Sequence, residues 1–219
     1  MLSKHPRWLQ KLREEHIDIF GETPAEAAQL LKKNPSLLSS CTITLAVIKE
    51  TLRVFSPGGT MRAGLPEHTV TDLQGREQPM DYTGANILHK ALHLNPRVWP
   101  KPREFLPERF LVSPDDELYP QPGAFRPFEQ GPRNCIGQTL VWNELLVALI
   151  LTCRDLDIRD AYEAFDRKTE EDLGPFGRFQ RRLFGEPIKT VVGERAYQTD
   201  PGGMHPADGY PCVVRWVDK

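Results

Sequence analysis

Apolar residues recur with a helical period in four stretches of the chain, divided by proline and glycine. Residues 6–20 place apolar and charged side chains on opposite faces, which predicts an amphipathic helix opened by Pro6 and stopped by Gly21. A second helix over 23–33 starts at Thr23, with Pro24 in its first turn and Glu26 completing a capping box. The third, 41–55, ends at Pro57 and Gly58-Gly59. From 60 to 90, short extended pieces alternate with turns such as Gln74-Gly75 and predict a small antiparallel sheet. Prolines then recur from Pro96 to Pro132, so 95–127 reads as an irregular, proline-rich meander. A loop over 128–137 leads into a fourth, strongly apolar helix at 137–153. The tail, 155–219, holds a charged, glycine-containing segment (166–187) and strand-like pieces at 189–193 and 212–217. No repeat, low-complexity tract or linker interrupts the chain. The expectation is one domain over 1–219, mainly α with a small antiparallel β part, an α+β fold.

The third helix carries a stripe of Leu45, Ile48, Leu52 and Phe55, while Ile43, Ala46, Val47 and Val54 flank Glu50 and Arg53 on the other side. A helix apolar nearly all round belongs in a core. Two readings of Glu50 and Arg53 follow. They form an exposed i,i+3 salt bridge of a few tenths of a kcal/mol, or a buried ion pair that needs further hydrogen-bond partners.

Composition narrows the class. Proline supplies 20 of 219 residues, about 9% against a norm of roughly 5%, which excludes an all-helical bundle. Lys+Arg 28 against Asp+Glu 30 leaves a net charge of −2, so neither a nucleic-acid-type basic excess nor an acidic tail is present. Met1 is followed at once by Lys4, His5 and Arg7, and no run of about 18 apolar residues occurs, so neither a signal peptide nor a membrane anchor is read. Cys41, Cys135, Cys153 and Cys212 form no C-x-x-C pair. That predicts reduced thiols and excludes a zinc finger or ribbon.

Cys135 has an unusual neighbourhood. Residues 128–137 read Phe-Glu-Gln-Gly-Pro-Arg-Asn-Cys-Ile-Gly. Gly131, Pro132 and Gly137 bend the chain and clear space for a flat group to approach the sulfur. The helix that follows sets Cys135 at a helix N-terminus, where partial positive charge favours thiolate. Arg133 adds a cation able to meet an anionic ligand group, and Phe128 an aromatic wall. Such surroundings suit a soft metal ligand. The competing reading is a buried structural cysteine beside a proline turn.

In this loop the chain resembles the cytochrome P-450 family of haem-thiolate monooxygenases, whose signature Phe-x-x-Gly-x-Arg-x-Cys-x-Gly it matches at every fixed position. Five fixed positions at about 5% each make a chance match rarer than roughly one in ten thousand. Lys49-Glu50-Thr51-Leu52-Arg53 is similar to the family's Glu-x-x-Arg helix, and Pro107-Glu108-Arg109-Phe110 to the segment that supplies its second arginine. His93-Leu94-Asn95-Pro96 with Trp99-Pro100 resembles the stretch between them.

The resemblance implies the C-terminal, haem-thiolate half of a fungal-type member. It makes Cys135 the axial thiolate on the iron of haem b, whose charge favours O–O cleavage on the far side. Arg62 and Arg133 would meet haem propionates, with Phe128, Gly131 and Gly137 shaping the loop, and Glu50, Arg53 and Arg109 would form a buried structural triad. It further implies electrons from NADPH through a reductase and a small apolar substrate, in fungal secondary metabolism. The place implied is the cytosolic face of the endoplasmic reticulum membrane, or the cytoplasm for a chain without an anchor. No catalytic acid is identified: the match starts after the family's long distal helix, and Thr60 and His205 read as ordinary loop residues. A truncated, non-catalytic remnant and a haem-binding module are the alternatives.

Overall fold

Proline at the first helical position and glycine after the last bound α1 (Pro6–Phe20) in the computed structural model. The structure describes residues 1–185, 188–191, 193–199 and 204–217. The chain divides into two compact units, Leu45–Glu144 and Met1–Thr44 with Leu145–Lys219.

In the second of these, α1 buries Trp8, Leu12, Glu15, His16 and Phe20 along one face. α2 (Pro24–Lys33) opens with the Thr23–Glu26 capping box, both hydrogen bonds of which are made. Helix α3 (Thr42–Val54) takes N-terminal support from another helix. Glu15 supplies it: the carboxylate accepts the Ile43 N–H at 2.7 Å, the Thr44 N–H at 2.9 Å and the Thr44 hydroxyl at 2.6 Å. A negative charge thus satisfies free donors at a helix N-terminus. His16 Nε2 lies 2.8 Å from the same hydroxyl. Burial, with Arg154 nearby, pushes the His16 ring down to about 4. From α5 (Gln138–Thr152), Leu146 and Ile150 are buried. β5 (Leu156–Asp160) pairs antiparallel with β8 (Cys212–Trp216), Ile158 opposite Val214. Between them come α6 (Tyr162–Asp172), α7 (Gly174–Phe184) and a short ribbon of β6 (Gln198–Thr199) with β7 (His205–Pro206).

The unit Leu45–Glu144 has little regular structure after α3. β1 (Thr60–Ala63) pairs with β4 (Gly84–Ile87), Arg62 opposite Ala85, and β2 (Thr69–Thr71) pairs with β3 (Glu77–Pro79). The short α4 (His89–His93) follows. Residues 94–137 then contain a single 3-10 turn, Pro107–Phe110. Their core is aromatic: fully buried Trp99 meets the His93 ring at 6.3 Å and Phe110 at 6.4 Å, and Phe110 meets Phe125 at 5.0 Å.

The architecture is mainly helical with small antiparallel ribbons, as the α+β reading has it. Two local expectations are corrected, and one segment that carried no assigned element gains one. The strands over 60–90 form two separate two-stranded ribbons, not one sheet. Most of the charged segment 166–187 is helical, because its apolar and basic residues recur at helical spacing; residues 186 and 187 lie outside the described residues. The strand-like piece at 189–193 amounts to one bridge, Val191 to Glu194, with residue 192 outside the described residues. Among the described residues no helix is long and apolar enough to cross a membrane.

Candidate functional site

α3 brings Glu50 and Arg53 to one side, three residues apart, and both are fully buried, which decides for the buried pair over the exposed salt bridge. Arg53 donates to the Glu50 carboxylate through Nε at 2.7 Å and Nη2 at 2.8 Å, a bidentate fork. Arg109, on the Pro107–Phe110 turn and equally buried, approaches Glu50 with Nε at 3.4 Å. The Leu106 N–H adds a fourth donor at 2.8 Å. The surplus donors reach backbone: Arg53 to the carbonyls of His93, Pro102 and Glu104, and Arg109 to that of Lys101. Both guanidiniums lie over the Trp99 ring, at 5.3 and 5.9 Å from its centroid. The cluster holds two positive charges and one negative. Burial therefore pushes Arg109 below the usual arginine range, against the raising effect of Glu50.

The cysteine loop is a tight turn on the surface of the same unit. The Cys135 N–H donates to the Phe128 carbonyl at 2.9 Å, and the Cys135 carbonyl accepts from Gln138 N–H at 3.2 Å, where α5 begins. Gly131 takes φ +82°, and nothing stands within 4 Å of where a Cβ would be. At Gly137 a Cβ would touch the Cys135 sulfur at 3.8 Å. Phe128 packs edge-on against Trp142, centroids 5.2 Å apart. The thiol of Cys135 is free and its residue exposed, whereas Cys41 and Cys153 are buried. Burial pushes their thiols up to about 12 and about 11, Glu15 adding to the first. Arg62 and Arg133 are both exposed. Arg62 donates to the Met61 carbonyl, and neither arginine bonds to the triad or to Cys135.

Sequence reasoning missed a carboxylate in this loop. Glu129 is buried at φ +64°, a backbone conformation uncommon for a side chain of its size. It accepts from Arg126 Nε at 2.6 Å and also from Arg126 Nη2, pairs with His89 Nε2 at 3.1 Å, and takes its neighbour's Gln130 N–H at 3.1 Å. Burial raises its carboxyl, but hydrogen bonds from Arg126, His89, Gln130 and Thr60 outweigh it and bring it down to about 2. Thr60 is the smallest of these contributions. His205 sits on β7, exposed, paired with Thr199. His93 joins the two clusters: its carbonyl takes Arg53, and its Nε2 accepts the Arg126 N–H at 2.9 Å. Burial, with the charges of His89 and Arg53, pushes the ring down to about 4, which keeps Nε2 an acceptor. The i,i+3 spacing of Arg126 and Glu129 was visible, but that rule applies to helices and this stretch is coil.

Among the described residues no three His, Cys, Asp or Glu side chains come together as a metal site. A single exposed thiol flanked by glycines, beside the fully exposed Ile136 and the exposed Leu140, fits a flat metal macrocycle that brings its other ligands with it.

The family model described as Cytochrome P-450 matches residues 1–170. The chain is 42% identical over 217 residues to cytochrome P-450 monooxygenase polC of Polytolypa hystricis, a match covering 99% of this chain and 37% of that protein. It is 33% identical over 218 residues to cytochrome P-450 monooxygenase PC-23 of Penicillium crustosum, covering 98% of this chain and 96% of that one. The chain thus spans well under half of polC and nearly all of PC-23. Among solved structures, the haem domain of a cytochrome P-450DA mutant aligns with TM-score 0.68 over 99% of this chain and 38% of the other, at 19% identity, a likeness of fold. Matched by the family model over most of its length and by fungal relatives over nearly all of it, this chain belongs to the cytochrome P-450 family, which binds haem.

Proposed function

We propose that the chain holds haem b through Cys135 and serves a monooxygenase acting on a small apolar organic molecule. One observation carries this reading: the family signature presents a free, exposed thiol between Gly131 and Gly137. When bound, haem supplies the iron at which O2 is activated and one oxygen atom is delivered to substrate. The chain's own residues do the rest. Cys135 offers one anionic sulfur ligand, and the Phe128 carbonyl fixes its backbone. Phe128 and Trp142 form an apolar wall behind the loop. Arg62 and Arg133 offer guanidinium charge for the carboxylate arms of the macrocycle. Glu50, Arg53 and Arg109 are structural and keep the preceding coil in place. Electrons come from NADPH through a reductase, on the cytosolic face of the endoplasmic reticulum, and the relatives' fungal origin suits a role in secondary metabolism.

The test is spectroscopic. Purified chain supplied with haem and reduced under carbon monoxide should give the strongly red-shifted Soret band of thiolate ligation. Cys153→Ser, a buried thiol, should keep the band and Cys135→Ser should lose it. Identical spectra from the two variants would refute the assignment. A wild-type chain with no Soret band would leave the non-catalytic remnant as the better reading.

A further inference from the structure

Helix α7 leaves an aromatic face uncovered. Phe176, Phe179, Leu183 and Phe184 expose 77, 61, 56 and 80% of their surface. None of the helix's 11 residues is buried. Isolated exposed apolar side chains need no explanation, but four on one short helix do. At about 100° per residue, Phe176, Phe179 and Leu183 fall within about 60° of one another, and Phe184, beyond the polar Gln180, widens the arc to about 140°. Arg178, Arg181 and Arg182 occupy the opposite side, and the helix carries no carboxylate.

A basic amphipathic helix suits either a lipid surface or an acidic protein groove. The distribution here favours lipid. Phe176, Phe179 and Leu183 keep the i, i+3, i+7 spacing that a groove also takes, and Phe184, 80% exposed, extends the apolar surface past that ridge. Arg181 and Arg182 stand at the two edges of the polar arc, so each can lay its apolar stem along the border and raise its charge to a headgroup. Length sets the depth, since 11 residues are too few to span a bilayer. The acidic run Glu170-Glu171-Asp172 closes α6, before Gly174 turns the chain at φ +65°. It limits the attraction, so the expected contact is peripheral and salt-sensitive.

We infer that α7 lies flat on an anionic lipid bilayer, with Phe176, Phe179 and Leu183 in the interface and Arg178, Arg181 and Arg182 at the headgroups. Haem is not needed for this, so the whole chain can be tested without it. Co-sedimentation would compare vesicles of phosphatidylcholine alone with vesicles containing about 30% phosphatidylserine. The wild type should partition onto the anionic vesicles and release as salt rises. Arg178→Gln/Arg181→Gln/Arg182→Gln should bind roughly 10- to 100-fold more weakly, as expected for up to three basic residues at about a factor of five each. Phe176→Ser/Phe179→Ser/Leu183→Ser should lose binding to both vesicle types. Should that triple change unfold the helix, Phe176→Trp provides a second readout: its emission should shift to the blue on anionic vesicles and not on neutral ones. Equal partition of the wild type onto both vesicle types overturns the inference, as does undiminished binding by the serine variant. A chain that ignores both vesicles overturns it too, and is the outcome expected of a helix that docks in a protein groove.

Discussion

Removing the carboxylate of Glu50 is the sharpest perturbation of the buried triad. In Glu50→Ala, two fully buried guanidiniums lose the carboxylate they hydrogen-bond and keep backbone carbonyls, the Trp99 ring and, for Arg109, the weaker field of Glu104. The Leu106 N–H also loses its acceptor at 2.8 Å. Breaking a buried pair by deleting one partner costs about 3–5 kcal/mol, and the orphaned N–H is part of that sum. Against a total stability of roughly 5–15 kcal/mol the change is large. With a urea slope of about 2 kcal/mol per molar, a loss of about 4 kcal/mol lowers the unfolding midpoint by about 2 M. The assay is urea unfolding followed by amide exchange in residues 94–112, which report on the affected unit alone. A control separates charge from volume. Arg109 is the surplus cation, and its Nη1 finds no partner among the described residues. Arg109→Met leaves the Glu50–Arg53 fork neutral overall, so it should cost less than half as much as Glu50→Ala. A midpoint shift below about 0.5 M for Glu50→Ala, or a larger loss for Arg109→Met, would refute the charge argument.

Other predictions follow from titration and access. His16 and His93 fold with rings near 4 against 6.5 unfolded, so stability present above pH 6.5 should be lost as pH falls towards 4; a urea midpoint constant over that range would contradict it. Glu129, near 2 folded against 4.5, contributes above pH 4.5 and should lose that contribution as pH drops from 4.5 to 2. Glu129→Gln should speed amide exchange at Gln130 and Cys135 by about tenfold in the haem-free chain, the loss of one charge-assisted bond; unchanged exchange would mean that the side chain does not hold the loop. A disulfide reagent at mild alkaline pH should modify Cys135 and Cys212 quickly and Cys41 and Cys153 slowly, and four equally fast thiols would contradict the burial.

The regular elements were legible because their signals are local. Pro6 and Gly21 bound α1, and Thr23 with Glu26 opens α2, each within one turn of sequence. The cap of α3 was not legible, because the acceptor that supplies it, the Glu15 carboxylate, comes from another helix 27 or more residues away. Nor could periodicity decide whether Glu50 and Arg53 were buried, since the partners that make burial tolerable lie at Leu106 and Arg109. At the cysteine loop the motif was plain to read. What the motif does not contain is Glu129's support, because two of the groups that hold it, Thr60 and His89, lie on β1 and α4. The face of α7 was hidden by composition: its arginines, read with the acidic end of α6, looked like one charged segment.

Residues 94–137 pose the harder physical problem, since a long coil must satisfy its backbone without ladders. Here buried charged side chains do what strands would do. Arg53 binds the carbonyls of His93, Pro102 and Glu104, Arg109 that of Lys101, and Glu50 the N–H of Leu106. His93 then carries the chain of contacts onward, because its Nε2 accepts the Arg126 N–H while Arg126 grips Glu129. Glu129 in turn accepts the N–H of Gln130, two residues beyond Phe128, whose carbonyl fixes Cys135. The triad and the cysteine loop are therefore connected through His93 by hydrogen bonds and, between Gln130 and Phe128, by two residues of backbone. Such a framework keeps its geometry only while each charge keeps its partner. The same interactions that position an exposed thiol on a strained loop therefore make the surrounding coil sensitive to loss of a single carboxylate.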